Sequence, residues 1–476
     1  MARKKINIGF LIKICVSFSV IFFSSCKERS LEGMIVLTEV AGDLEDSDYI
    51  TGNFWRYTPE SRIVVLNPNN SEDNLKVLTE DYFSARSPEI SFDGQSMIFT
   101  AQKKQNDTWQ IWEMNLENLK VRQVTSSSEN CIDPAYLPGE QIVFSKFSTN
   151  DIVKNGHTLF TCNLDGSETK QITFNPHAYF APTVLQDGRV LTISRQLYPE
   201  QKDGALMVLR PDGSKQELFY KGLNEVNVHS RPYEMSNGKV VFIESHKNKQ
   251  DGGNIIAVNY NRPLHSRIDL SSGIKGDFYN VSPLSKDKLL VSYRSSDDNN
   301  YALYEFDTEN NTIGQSIYET NKYHVLEAVV VRKTERPKKL PSELNMDQKT
   351  GLLLCQDINF SNMEAEENNS ISSKAVSIEV MGIDSLLGTV NVEKDGSFYL
   401  KVLADTPFQI RTIDENGQVV NGAGSWMYMR PNERRGCVGC HEDNEQVPEN
   451  RQALAVKKEP ILVPEPTNEI HNKKEL

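Results

Sequence analysis

The 476-residue sequence predicts an all-β protein: a six-bladed β-propeller, then a small β-sandwich domain, then a short C-terminal segment around Cys437-Val438-Gly439-Cys440-His441. Three observations carry this expectation. A proline-led unit recurs through the middle of the chain. Each unit runs on into short strand-like stretches separated by polar turns. No 3.6-residue apolar pattern is sustained in that region, which removes the helical repeat architectures of similar period.

The first element is a leader. Arg3, Lys4 and Lys5 precede a nearly unbroken apolar stretch from Ile6 to Phe23, followed by Ser24-Ser25-Cys26. A basic start, an apolar core and small residues before a cleavage point read as a secretory signal. The small residues ahead of Cys26 resemble a lipobox, the bacterial lipoprotein cleavage motif, with serine at the position usually taken by glycine or alanine. Residues 1–25 are therefore expected to be a lipoprotein signal peptide, Cys26 the lipidated residue, and residues 26–32 a tether. The bland alternative is an uncleaved N-terminal anchor. In either case the body is exported and held at a bacterial envelope membrane, with the outer membrane the expected address.

The repeats follow, over residues 33–337. They read SPEISFDGQSMIFT from Ser87, DPAYLPGEQIVFS from Asp133, APTVLQDGRVLTIS from Ala181, RPYEMSNGKVVFIES from Arg231 and, more weakly, VSPLSKDKLLVSY from Val281. Pro88, Pro134, Pro182, Pro232 and Pro283 are spaced by 46, 48, 50 and 51 residues, a period that marks repeat architecture. A second strand follows in each unit, for example at residues 109–116 and 157–164, then a polar turn such as Asp165-Gly166 and a short last strand. Four strands per unit make one blade. A sixth unit is implied near Glu327, and residues 34–38 can close the ring; five and seven blades are the alternatives.

Residues 338–430 read as the β-sandwich. Leu352–Leu354 and Ser377–Val380 have strand composition, and the Lys394-Asp395-Gly396 and Asn416-Gly417 turns are flanked by apolar runs. Residues 431–445 hold the motif. Residues 446–476, with Pro448, Pro460, Pro464 and Pro466, read as an extended strap or a disordered tail.

Cys437, Cys440 and His441 have the spacing of covalent c-type haem attachment. Two thiols three positions apart can each form a thioether with one vinyl group. The adjacent imidazole is then the proximal iron ligand. A zinc site would call for a second Cys/His pair at motif spacing, and a thioredoxin-like dithiol for a βαβ context; neither is present in the sequence. Export to an oxidising compartment agrees with haem c. The distal-ligand candidates are His177, His229, His324, His471, Met427 and Met429, with His177 and His229 preferred because they open repeat units in similar phase. Trp426 and Tyr428 could pack on the macrocycle, and Arg434 and Arg435 could pair with its propionates. Cys131, Cys162 and Cys355 remain, enough for one disulfide and one thiol.

The units resemble TolB-type periplasmic propellers. A longer stretch, about residues 33–445, resembles the propeller-containing middle region of the hydrazine synthase alpha subunit family, most specifically through SWMYMRPNERRGCVGCHE. That resemblance implies a propeller followed by a C-terminal haem c, with Cys437 and Cys440 as thioether residues and His441 as proximal ligand. The family also has an N-terminal haem region associated with hydrazine formation. Here the leader runs directly into the first blade and the C-x-x-C-H occurs once, so hydrazine synthesis is not expected.

A net charge of −13 argues against nucleic acid as a partner. The leading functional expectation is electron transfer, or small-ligand binding at a haem, with a redox protein or small molecule as partner. The alternatives are a non-haem binding module of the cell envelope and, less favoured, a hydrolase; no G-x-S-x-G or H-E-x-x-H occurs to support the last.

Overall fold

A computed structural model describes residues 30–44, 48, 51–53, 55–58, 60–69, 75–149, 155–222, 226–246, 252–297, 299–360, 374–439 and 450–464. The leader, Cys26, Cys440, His441 and His471 lie outside these residues. The described chain is all-β, with two single-turn 3-10 segments, Pro263–His265 and Leu454–Lys457. Among the described residues, no helix is long and apolar enough to cross a membrane.

Six antiparallel sheets follow one another among the described residues up to Val330. The second sheet is typical: Ser84–Ile90, Ser96–Gln102, Gln110–Asn115 and Val121–Gln123 pair in sequence order. The fourth runs His177–Val184, Val190–Leu197, Glu200–Leu209 and Glu217–Lys221. In the fifth, the first strand is split into Val226–Val228 and Tyr233–Glu234, both paired to Lys239–His246. The first sheet is made from both ends of the series: Ile35–Ala41 pairs antiparallel with Tyr323–Val330, Val36 opposite Val329. Adjacent sheets bury apolar faces against each other. Ile98 and Ile111 of the second, for instance, share a core with Tyr136, Ile142 and Phe144 of the third.

The Pro-led segments are the first strands of their sheets, and three of them bulge at the proline: Pro88, Pro134 and Pro182. Ser87, Asp133, Ala181 and Glu327 have φ of 53°, 54°, 48° and 51°. The ladder slips at Arg86/Glu89, Ile132/Ala135 and Phe180/Thr183. A bulge leaves a backbone N–H without a ladder partner, and neighbouring sheets supply acceptors. Glu327 Oε2 accepts from Ser87 N at 2.8 Å, and Asp133 Oδ2 accepts from Ala181 N at 2.9 Å. These carboxylates are held by buried Arg56 and Arg86 in a charged cluster that joins several sheets.

The C-terminal region forms two four-stranded sheets. One has the order Arg434–Cys437, Thr350–Cys355, Phe398–Leu403, Ile461–Val463; the other is Leu386–Asn391, Ala375–Met381, Gln409–Asp414, Val419–Asn421. Leu353, Ile378, Val380, Leu400, Phe408 and Met429 fill the space between them. The tail is a strap over residues 450–464: Ile461–Val463 pairs in parallel with Phe398–Leu403, and Arg451 binds Asp395 at 3.0 Å. The disulfide considered for Cys131, Cys162 and Cys355 does not form.

Candidate haem-attachment site

Arg434–Cys437 becomes a strand because it completes an edge. It runs parallel to Thr350–Cys355, with Leu352 opposite Arg434, Leu353 opposite Arg435, Leu354 opposite Gly436 and Cys355 opposite Cys437. Strand alternation turns Arg435 and Cys437 to the more buried face, and Arg434 and Gly436 outward. Two further hydrogen bonds carry the register past the strand: Gln356 N donates to Cys437 O at 3.0 Å and Asp357 N to Val438 O at 3.1 Å. At Gly439 a Cβ atom would meet the Phe360 carbonyl oxygen at 2.3 Å, so the backbone passes too close there for any side chain. The first three motif residues are thereby fixed.

A cavity of about 510 Å³ lies between this strand and the fourth sheet. Cys437, Arg435 and Arg434 line one side, while His177, Ser194, Met207 and Leu218 line it from the fourth sheet, and Trp426 and Met427 complete it. Its size falls within the range of cofactor sites.

The fourth sheet and the C-terminal domain are locked together beside this cavity. Trp426 Nε1 donates to Tyr198 O at 2.6 Å. Tyr428 is fully buried and places its hydroxyl 2.7 Å from Gly213 O and 3.0 Å from Ile172 O. Lys215 N donates to Glu433 Oε1 at 2.8 Å, and Arg430 Nε to Asp212 O at 3.0 Å.

His177 and Met427 are the candidate ligands that line the same cavity as Cys437. The His177 Nδ1 hydrogen-bonds Ser194 Oγ at 2.8 Å, its ring stacks on Tyr179, and its buried Nε2 has no hydrogen-bond partner among the described residues. Desolvation pulls its pKa down to about 4, so the imidazole is neutral at ordinary pH. A neutral imidazole with one ring nitrogen hydrogen-bonded is a form in which histidine can bind a metal ion, and Nε2 here is buried.

The other candidates are distributed differently. Met429 is wholly buried in the C-terminal core. His229 sits among the first strands, its ring edge-on to Tyr279 at 4.6 Å and its carbonyl accepting from Trp55 Nε1. Burial, followed by Arg195, Arg56 and Arg86, lowers its pKa to about 3. His324 Nδ1 accepts from Tyr301 N at 3.1 Å, away from the cavity. His229 and His324 are thus set in the interior of the sheet series because their strands run there. Arg435 pairs with buried Glu433 at 2.6 Å, while Arg434 is exposed at the cavity. Among the described residues, no three His, Cys, Asp or Glu side chains gather as a metal site.

Sequence reasoning missed Ser194, Met207 and Leu218, because a cavity wall on one face of a sheet carries no local signal. The motif and its neighbours Trp426, Met427, Arg434 and Arg435 are legible in the sequence as one wall, and on the opposite wall the phase of His177 within its repeat is the available signal.

Residues 322–442 match the family described as hydrazine synthase alpha subunit middle domain, a span that includes the C-x-x-C-H. Hydrazine synthase subunit alpha of Kuenenia stuttgartiensis is 24% identical over 82% of this chain and 63% of its own length. This chain therefore matches less than two thirds of that relative. The solved Kuenenia stuttgartiensis hydrazine synthase aligns with 90% of this chain and 71% of its own at a TM-score of 0.78 and 19% identity. TolB from Acinetobacter baumannii aligns with 66% of this chain and 70% of its own at a TM-score of 0.45 and 11% identity. The chain is similar to hydrazine synthase subunit alpha and shares its fold, with a propeller-like all-β series of sheets here, over the aligned residues.

Proposed function

We propose that this chain is an exported, lipid-anchored electron-transfer protein with one c-type haem at the seam between propeller and C-terminal domain. The six N-terminal sheets are its six blades and the two C-terminal sheets its β-sandwich. The observation that carries the reading is the shared cavity: the first motif cysteine, Cys437, lines it from one side and His177, whose buried Nε2 has no hydrogen-bond partner among the described residues, from the other. The donor set suits haem c. Trp426, Met427 and Met207 offer apolar surface to a macrocycle, and Arg434 offers a cation for a propionate. Cys437 and Cys440 would hold the group through thioethers, His441 would be the proximal ligand and His177 the distal one. When bound, the haem supplies one-electron redox chemistry. Ser194 fixes the His177 ring, and the Trp426 and Tyr428 contacts keep the two domains in register around it. Two histidine ligands favour electron transfer over small-ligand binding, since no axial position is left open. The reading stops short of hydrazine synthesis, because the sequence holds a single C-x-x-C-H. Lipidation at Cys26 would hold the protein at the envelope membrane.

The test is expression of the full chain with a cytochrome c maturation system, followed by a visible spectrum after denaturation and reduction. Covalent haem absorbance is expected, and its absence overturns the proposal. Cys437→Ser should abolish two-point attachment. His177→Ala should keep the haem attached but admit carbon monoxide, which the parent protein should refuse. Cys26→Ser should lose fatty-acid labelling.

A further inference from the structure

Cys355 and Cys437 are direct cross-strand neighbours. The parallel register of Thr350–Cys355 and Arg434–Cys437 sets them opposite each other. They also share a face: Cys355, 2% exposed, belongs to the C-terminal core, and Cys437 packs against that same core. Neighbouring strands lie about 4.8 Å apart, within the Cα separation of about 4.4–6.8 Å that a disulfide spans. Arg434–Cys437 is an edge strand, and Gly436, beside Cys437, has open space around its Cα. The small adjustment needed to bring two sulfurs into bonding geometry is therefore available on the Cys437 side. Cys437 also lines the cavity, which gives a reagent access to its thiol, whereas Cys355 is buried.

We infer that Cys355 and Cys437 form a reversible disulfide in the haem-free chain, so that Cys355 guards the first attachment cysteine. The step is a thiol–disulfide exchange. The Cys437 thiolate attacks a disulfide oxidant, releasing one thiol and leaving a mixed disulfide. The Cys355 thiolate then displaces the second thiol and closes the intramolecular bond. Two protein thiols are oxidised and one oxidant disulfide is reduced to two thiols. A dithiol reductant reverses both exchanges. A sulfur held by Cys355 is not available to form a thioether, so attachment at Cys437 would require that reduction first. This consequence rests on the haem reading above; the crosslink itself does not.

The experiment uses the full chain, exported without a haem maturation system, alkylated and digested without reduction. A peptide containing Cys355 should be found joined to the peptide containing Cys437 and Cys440, and lost on reduction. The join should persist in Cys440→Ser and vanish in Cys437→Ser. A join that instead follows Cys440, a Cys437–Cys440 bond, or full alkylation of Cys355 overturns the inference. Separately, Cys355→Ala should remove the need for added reductant during haem loading in the maturation system. If the crosslink is present but no variant loads haem, the haem reading fails and the disulfide stands.

Discussion

Tyr428 reaches out of the C-terminal domain to place its hydroxyl 2.7 Å from the carbonyl oxygen of Gly213, in a turn of the fourth sheet. The same hydroxyl lies 3.0 Å from Ile172 O, so one phenol serves two backbone acceptors at the seam. Gly213 has φ of +85°, and a Cβ there would meet Ile172 O at 2.0 Å, so the turn is shaped to bring these two carbonyls together.

Tyr428→Phe is therefore expected to cost about 1–3 kcal/mol, the penalty for stranding buried polar groups. Gly213→Ala should cost more, since strain and a clash add together. Chemical denaturation measures both. Limited proteolysis between residues 333 and 349 should accelerate in each variant if the loss is felt at the seam.

Asp133 is the second anchor. Its carboxylate meets Arg56, Ser87 Oγ at 3.0 Å and Ala181 N at 2.9 Å, tying the first strands of neighbouring sheets through one buried group. Asp133→Leu takes away the nearer of the two carboxylates around Arg56, leaving Glu327 at 3.6 Å, and strands the Ala181 N–H, and should destabilise by about 3–5 kcal/mol. Arg56→Met in the same chain should recover part of that loss, because the buried guanidinium that has lost its nearest carboxylate is then removed. A lack of recovery in thermal melts would show that the Ala181 contact, and not the ion pair, dominates.

The fold was far more legible than the site. Pro88, Pro134 and Pro182 with the turns after them gave the strand order of the middle sheets, because hairpins are local and their turn residues lie in sequence. The closing pair Ile35–Ala41 and Tyr323–Val330 could be anticipated from a spare strand at each end. By contrast, Arg434–Cys437 and Ile461–Val463 were not recognised as strands. Both are short parallel edges whose pairing is non-local, and neither shows an apolar alternation. The same limit hid the site. His177 is one of six distal candidates by sequence, and it is the docking of Trp426 and Tyr428 onto the fourth sheet that brings it, with Met427, to the cavity lined by Cys437. The Arg56–Asp133–Glu327–Arg86 cluster was illegible for a related reason: its members come from four distant segments.

Buried histidines give the protein an acid limit. His157 is fully buried, and desolvation pulls its pKa from 6.5 to about 3, with Asp133 opposing and Arg56 reinforcing the change. As pH falls through 6.5 the unfolded chain takes up a proton that the folded chain refuses until about 3. Stability is thus lost progressively across that window. The carboxylates act lower. Burial pushes Asp133 up, but Arg56, Arg231 and Arg86 outweigh it and hold it at about 2; Arg86 and Arg56 likewise hold Glu327 at about 2 against burial. Their contribution disappears as pH falls from about 4 toward 2. Unfolding free energy against pH should bend downward first below 6.5 and again below about 4. His157→Gln should reduce proton uptake on unfolding by about one in the upper window and leave the lower bend in place.

The motif's own glycine gives the last prediction. Gly439 follows directly on the segment held by Gln356 and Asp357, and the Phe360 carbonyl lies where its Cβ would be, at 2.3 Å. Backbone cannot yield as a flexible side chain can, so Gly439→Ala must push the chain away from Phe360 just before Cys440. The Cys437 end stays pinned by its parallel pairing, and the displacement therefore falls on the spacing between the two cysteines. Val438→Ala removes side-chain atoms and adds none, so it brings no backbone clash. Gly439→Ala should lower the yield of doubly attached haem several-fold in the maturation system, with a shift toward single attachment visible by intact mass, while Val438→Ala leaves the yield unchanged. Equal yields in both variants would mean that the Gly439–Phe360 approach does not set the geometry of attachment.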